Sequence, residues 1–134
     1  MDIRTKAVSA TGRLHLRDAA EELLYTPEGE EVAVNVYGPG SKQYAKAQAA
    51  QQNRAVDMLK RKGKTDQTAE QRRRENAEFL ADCTESFENL EYDGLTGREL
   101  AIAVYSDTTI GFIADQVAKH IGDWANFSKP AATN

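Results

Sequence analysis

Gly38-Pro39-Gly40-Ser41 separates two hydrophobic periods, and that boundary constrains the fold more than any other feature of the sequence. Upstream, Val32-Ala33-Val34-Asn35-Val36-Tyr37 alternates with β-branched residues on one face, and Arg13-Leu14-His15-Leu16-Arg17 alternates polar with apolar residues. Both read as strands. Glu22 to Thr26 reads as a further short strand, because Pro27-Glu28-Gly29 supplies a turn into the Val-rich segment. Proline cannot donate to a ladder and the glycines permit unusual dihedrals, so the sheet pattern stops at Gly38. Beyond it the period becomes helical. The expectation is an α+β fold, a small N-terminal antiparallel β-meander followed by about four helices.

Ser41 stands where a helix N-cap belongs. The stretch to about Arg61 is rich in Ala, Gln and Lys, with a sparse apolar side formed by Tyr44, Ala47, Gln51, Ala55, Met58 and Leu59. Glycine and like charges in Lys60-Arg61-Lys62-Gly63-Lys64 interrupt it, and Thr68-Ala69-Glu70-Gln71 matches a capping box for a second helix. That helix carries Ala77, Leu80, Cys83 and Phe87 at steps of three and four. Tyr92-Asp93-Gly94 predicts a turn, and Thr96-Gly97-Arg98-Glu99 a second capping box that opens a short helix with Leu100, Ala103 and Val104. Ile110, Ile113, Val117, Ile121 and Trp124 predict a last amphipathic helix, stopped by Ser128-Lys129-Pro130.

At 134 residues the chain fits one domain. Its parts are a β-rich segment at 1–40, a basic helical hairpin at 41–75, an acidic helical part at 76–128 and a frayed tail at 129–134. The net charge of −4 hides a split. Residues 42–74 hold ten Lys/Arg against three Asp/Glu, or +7, whereas residues 75–134 hold three against eleven, or −8. Such segments can meet nucleic acid, pair within the chain, or pair between copies of it.

No apolar run approaches the roughly 20 residues that span a bilayer, and nothing apolar follows the charged N-terminus as a secretory signal requires. Cys83 is the lone cysteine, in keeping with a reducing compartment.

Catalytic chemistry finds little support. The two histidines, His15 and His120, lack ligand spacing, so no metal is expected, and neither is a cofactor. Cys83 falls in an apolar stripe beside Asp82 and Glu85, which raise a thiol's pKa. Glu75, Glu78, Asp82 and Glu85 have the spacing of a solvated helix face. Gly38-Pro39-Gly40-Ser41 has the look of a phosphate-binding turn, but Pro39 removes a needed N–H. The chain therefore reads as a binding protein with no catalytic residues. Lys60, Arg61, Lys62, Lys64, Arg72, Arg73 and Arg74 are the candidate contacts for an anionic partner. Nucleic acid is the disfavoured one, since Tyr44 is the sole aromatic residue between Lys42 and Arg74.

Several segments resemble the tail assembly chaperones of long-tailed bacteriophages. They are Val36-Tyr37-Gly38-Pro39-Gly40-Ser41 with Tyr44-Ala45-Lys46-Ala47, Leu80-Ala81-Asp82-Cys83-Thr84 leading to Phe87, Tyr92-Asp93-Gly94, Ile113-Ala114-Asp115-Gln116-Val117 and Trp124-Ala125-Asn126-Phe127. The resemblance covers most of the chain from about Val32. It implies a protein of the host cytoplasm, not an enzyme, that holds the tape-measure protein, helps recruit tail-tube subunits and self-associates. It makes Tyr44, Met58 and Leu59, and Ile110, Ile113, Val117, Ile121 and Trp124, candidate protein-binding residues. Two other readings stay open, a small structural component of the virion and a nucleic-acid-binding regulator using the basic hairpin.

Overall fold

The computed structural model describes residues 1–62 and 68–128. Strand β1 (Thr11–His15) pairs with β2 (Ala33–Tyr37), and helix α1 (Lys42–Lys62) and helix α2 (Ala69–Asp82) follow. Strand β3 (Thr84–Glu88) then returns to the other edge of β2, before α3 (Gly97–Ser106) and α4 (Gly111–Ile121). Both strand pairings are antiparallel. The α+β expectation therefore stands, with a three-stranded antiparallel sheet and four α-helices among the described residues.

The third strand comes from elsewhere than residues 22–26. That segment makes only single bridges, Arg17 to Leu23 and Tyr25 to Glu31, while β3 fills the ladder. The cause lies at the end of α2. Cys83 caps the helix, its N–H shared between the Phe79 and Leu80 carbonyls, and the Thr84 hydroxyl donates to Leu80 O at 2.8 Å. The shared bond tightens the last turn at Cys83, and β-branched Thr84 starts a strand on the open edge of β2. Phe87, expected on the helix stripe, instead faces Val34 across the sheet. Helical spacing and strand alternation both carry it inward.

Register sorts the sheet faces. Leu14, Val34 and Phe87 lie side by side on the core face, and Arg13, Asn35 and Ser86 on the other. The outer row is polar and cross-linked: Arg13 holds Glu88 at 3.0 Å and Glu31 at 2.7 Å, and Asn35 donates to Glu88 at 2.8 Å. Inside, Leu16, Val34, Val36, Leu80, Val104 and Val117 are almost fully enclosed. Tyr105 is buried with its hydroxyl 2.7 Å from that of Thr84, so its polar end is satisfied.

Two expected termini differ. The Thr68 capping box forms, both of its side-chain bonds being present. Thr96 makes none, because Gly97 enters the helix with φ of +59° and turns the following amides away from its hydroxyl. The last helix stops at Ile121, not after Trp124. Gly122 N–H closes on Ala118 O, and Asp123 Oδ1 accepts from Ala125 N–H to open a short 3₁₀ turn, Trp124–Phe127. Trp124 is thereby left 56% exposed, and Phe127 takes the interior place. Its ring lies on Gly12 and Gly38, where an added Cβ would come within 2.9 and 2.4 Å of it. The expected tail at 129–134 lies outside the described residues.

Gly38→Ala should therefore destabilise the protein by about 1–3 kcal/mol through overpacking against Phe127. Gly111→Ala, on a helix and with nothing within 4 Å, should be neutral or stabilise by up to about 1 kcal/mol. Urea unfolding of the two variants checks the contrast, and equal losses would contradict the packing role of Gly38.

Candidate protein-binding surface on the helical hairpin

Helices α1 and α2 form an excursion between β2 and β3, rooted in the core. The root begins at Ser41, buried, whose hydroxyl donates to Gly38 O at 2.7 Å and accepts from Tyr44 N–H at 3.1 Å. Gly38-Pro39-Gly40-Ser41 is thus occupied with capping and with packing under Phe127, not arranged as an anion cradle. Tyr44 packs edge-on against Phe79, and Ala47 is buried. Ala47 is the last fully buried residue of α1 within the described part, though the helix, 21 residues and about 30 Å long, runs on to Lys62.

Ion pairs brace the next turns. Arg54 of α1 lies 3.0 Å from Glu78 and 3.6 Å from Asp82 of α2. Glu78 also takes Arg74 at 3.0 Å, and Asp82 takes Arg98 at 2.9 Å. Glu78 and Asp82 therefore do not form a solvated face as their spacing suggested; their side chains are 18% and 22% exposed. Part of the +7 segment is neutralised inside the chain. Beyond the pairs, a groove of about 570 Å³ opens between the helices, lined by Arg54, Met58, Arg61, Gln71, Arg74 and Glu75.

The anticipated contact residues are scattered by the fold. Tyr44 joins the core edge and Met58 lines the groove, so both face α2 or the body. Leu59 is exposed, and so is Val56, which the spacing of the expected stripe passed over. A step of three separates Val56 from Leu59, and reading both sides of the helix for periodicity would have found it. Ile113, Val117 and Ile121 are core residues at 4%, 0% and 3% exposure, and Ile110 is half-buried. Ile113, Val117 and Ile121 offer almost no surface, because α4 turns its apolar stripe to the sheet and to the other helices. Trp124 is exposed, with its ring against Gly40.

Among the cations, Arg74 is tied to Glu78, while Lys60, Arg61, Arg72 and Arg73 are exposed and make no ion pair among the described residues. Lys62 is the last residue of α1, and Lys64 lies outside the described residues.

The titratable groups elsewhere serve the fold. Burial, with Asp82 adding to it, pushes the Cys83 thiol up to about 12, so it stays protonated and behaves as a small hydrophobe. Burial likewise lowers the pKa of His120, whose ring meets Phe127 at 5.6 Å, and Asp123 opposes the shift. His15 is held by its Nε2 at 2.8 Å from Leu24 O, with its ring against Tyr25. No group of three or more His, Cys, Asp or Glu side chains able to hold a metal ion occurs among the described residues. No helix among them is long and apolar enough to cross a membrane.

No protein-family model, curated protein or solved structure matches the chain.

The His120 shift sets a pH dependence. Its folded-state pKa lies below the unfolded one, so the native state binds fewer protons and stability falls as pH drops below about 6.5. Denaturation midpoints measured between pH 7 and 5 should fall less steeply for His120→Gln than for the wild type. Parallel profiles would contradict the burial of a neutral ring.

Proposed function

We propose that the chain is a non-catalytic assembly chaperone of the kind encoded by long-tailed bacteriophages. In this reading it holds the tape-measure protein in the host cytoplasm, assists the addition of tail-tube subunits and leaves before the particle matures. Helix α1 makes the principal contact. The observation that carries the reading is the exposure of Val56 and Leu59, at 48% and 44%, on a helix whose other side is already braced by α2. Large apolar side chains held in solvent on a rigid element favour a partner. The resemblance from Val32 onward supplies the identity of that partner.

Co-expression with the tape-measure protein tests the reading. The wild type should keep the client soluble and be recovered with it, whereas Val56→Asp with Leu59→Asp should lose it while remaining folded. Equal recovery with the double variant would sink α1 as the contact, and no recovery with the wild type would sink the client. Mass spectrometry of purified virions should find the chain absent; its presence would favour a structural component.

Self-association belongs to the same proposal, the exposed cations of one hairpin meeting the acidic half of another copy. Light scattering should report a mass that falls with added salt. A constant monomer would remove that part.

The exposed Arg72 and Arg73 favour one second reading, a regulator that binds nucleic acid. It requires a salt-sensitive gel shift at physiological salt that Arg72→Ala with Arg73→Ala abolishes.

A further inference from the structure

An α-helix turns 100° per residue, so residues stepped alternately by four and three return to one side. Ala45, Ala49, Gln52, Val56 and Leu59 follow that step along α1. All five are exposed. They lie away from the stripe of Tyr44, Ala47, Gln51 and Met58 that faces the body and α2. In heptad terms the β-branched Val56 stands at an a position and Leu59 at a d position, the arrangement that suits a two-helix seam. The alanines at 45 and 49 leave room for a second helix at the usual 8–10 Å. The seam runs for about 20 Å, and no described element of the chain covers it.

Charge narrows what covers it. Lys46, Asn53 and Lys60 occupy the flanking e positions, and Gln48 and Ala55 stand at g positions. Lys46 and Lys60 are exposed and make no ion pair among the described residues. Flanking charges choose the partner of a helical seam, and two unmatched lysines call for carboxylates opposite them. The α1 seam of a second copy cannot supply them in a paired-helix arrangement. That seam has no acidic flank, and antiparallel pairing would set Lys46 against Lys60.

We infer that the outer face of α1 is a docking seam for an acidic amphipathic helix of another protein, seated on Val56 and Leu59 and oriented by Lys46 and Lys60. The inference rests on the reading of α1 as the contact helix and adds the chemistry of what it grips. Gln52, polar and central in the seam, disfavours other registers at some cost in affinity. The mode is a helix laid along a helix, with apolar anchors and a charged rim.

Fluorescence polarisation with the full chain and two synthetic peptides tests it. Both peptides are about three heptads long with apolar a and d positions; one carries Glu at e and g, the other Lys. The Glu peptide should bind, more weakly as salt rises, and the Lys peptide should not. Val56→Asp with Leu59→Asp should abolish binding. Lys46→Glu with Lys60→Glu should weaken the Glu peptide by about tenfold and admit the Lys peptide. That gain also shows that the variant is folded.

Binding of neither peptide, binding of both alike, indifference to Val56→Asp, displacement of the Glu peptide by duplex DNA, or sedimentation showing that the seam is already covered by a second copy would each overturn the inference. Loss of peptide binding with tape-measure capture retained would remove the acidic helix and leave the proposed function standing. Peptide binding without capture would do the reverse.

Discussion

Tyr37 N–H donates to Cys83 O at 2.7 Å, and the rest of the architecture depends on the closure that this bond begins. It joins the end of β2 to the start of β3, with the whole hairpin, residues 38–82, looped out between them. Closing a loop of that length costs entropy, which the ladder and the burial of Cys83, Val34, Val36 and Phe87 must offset. The same closure fixes both roots of α1 and α2 in the core and leaves their far ends in solvent.

Charge follows that geometry. At the base Glu78 and Asp82, both mostly enclosed, meet Arg54, Arg74 and Arg98, so part of the basic segment is neutralised within the chain. On the outer face of the sheet Arg13 does the same with Glu31 and Glu88. Each exposed pair contributes little by itself, but shared carboxylates fix the orientation of α1 against α2. The cations left over, Lys46, Lys60, Arg61, Arg72 and Arg73, are exposed and make no ion pair among the described residues. The proposed docking seam draws on that surplus charge beside the exposed Val56 and Leu59.

Much of this was readable from local signals. Ser41 and Thr68 cap helices as their types suggest, because an N-cap needs only a hydroxyl and the next three residues. The Val-rich strand is likewise local, its alternation matching the buried Val34 and Val36. Where a distant neighbour intervenes, local reading fails. Thr84–Glu88 continues a helical spacing and becomes a strand, because β2 offers it an open edge to pair with. Trp124 fits the α4 period and is expelled, because Gly12 and Gly38 leave a space shaped for Phe127. Thr96 has the right partner three residues on and loses its cap to Gly97.

The candidate surface divides in the same way. Composition and spacing determined that residues 42–62 form a helix, that it is basic, and that it holds too few apolar residues to be enclosed on all sides. They could not say which side stays open, since α1 carries one stripe through Met58 and another through Val56 and Leu59. Only the tertiary structure decided between them. α2 returns along the Tyr44 and Met58 side, where Phe79 packs on Tyr44 and Glu78 and Asp82 meet Arg54, and a helix paired on that side leaves the other to solvent. Periodicity measures the angles between side chains on one helix, whereas exposure depends on where a second helix lies, and that is a property of the whole chain.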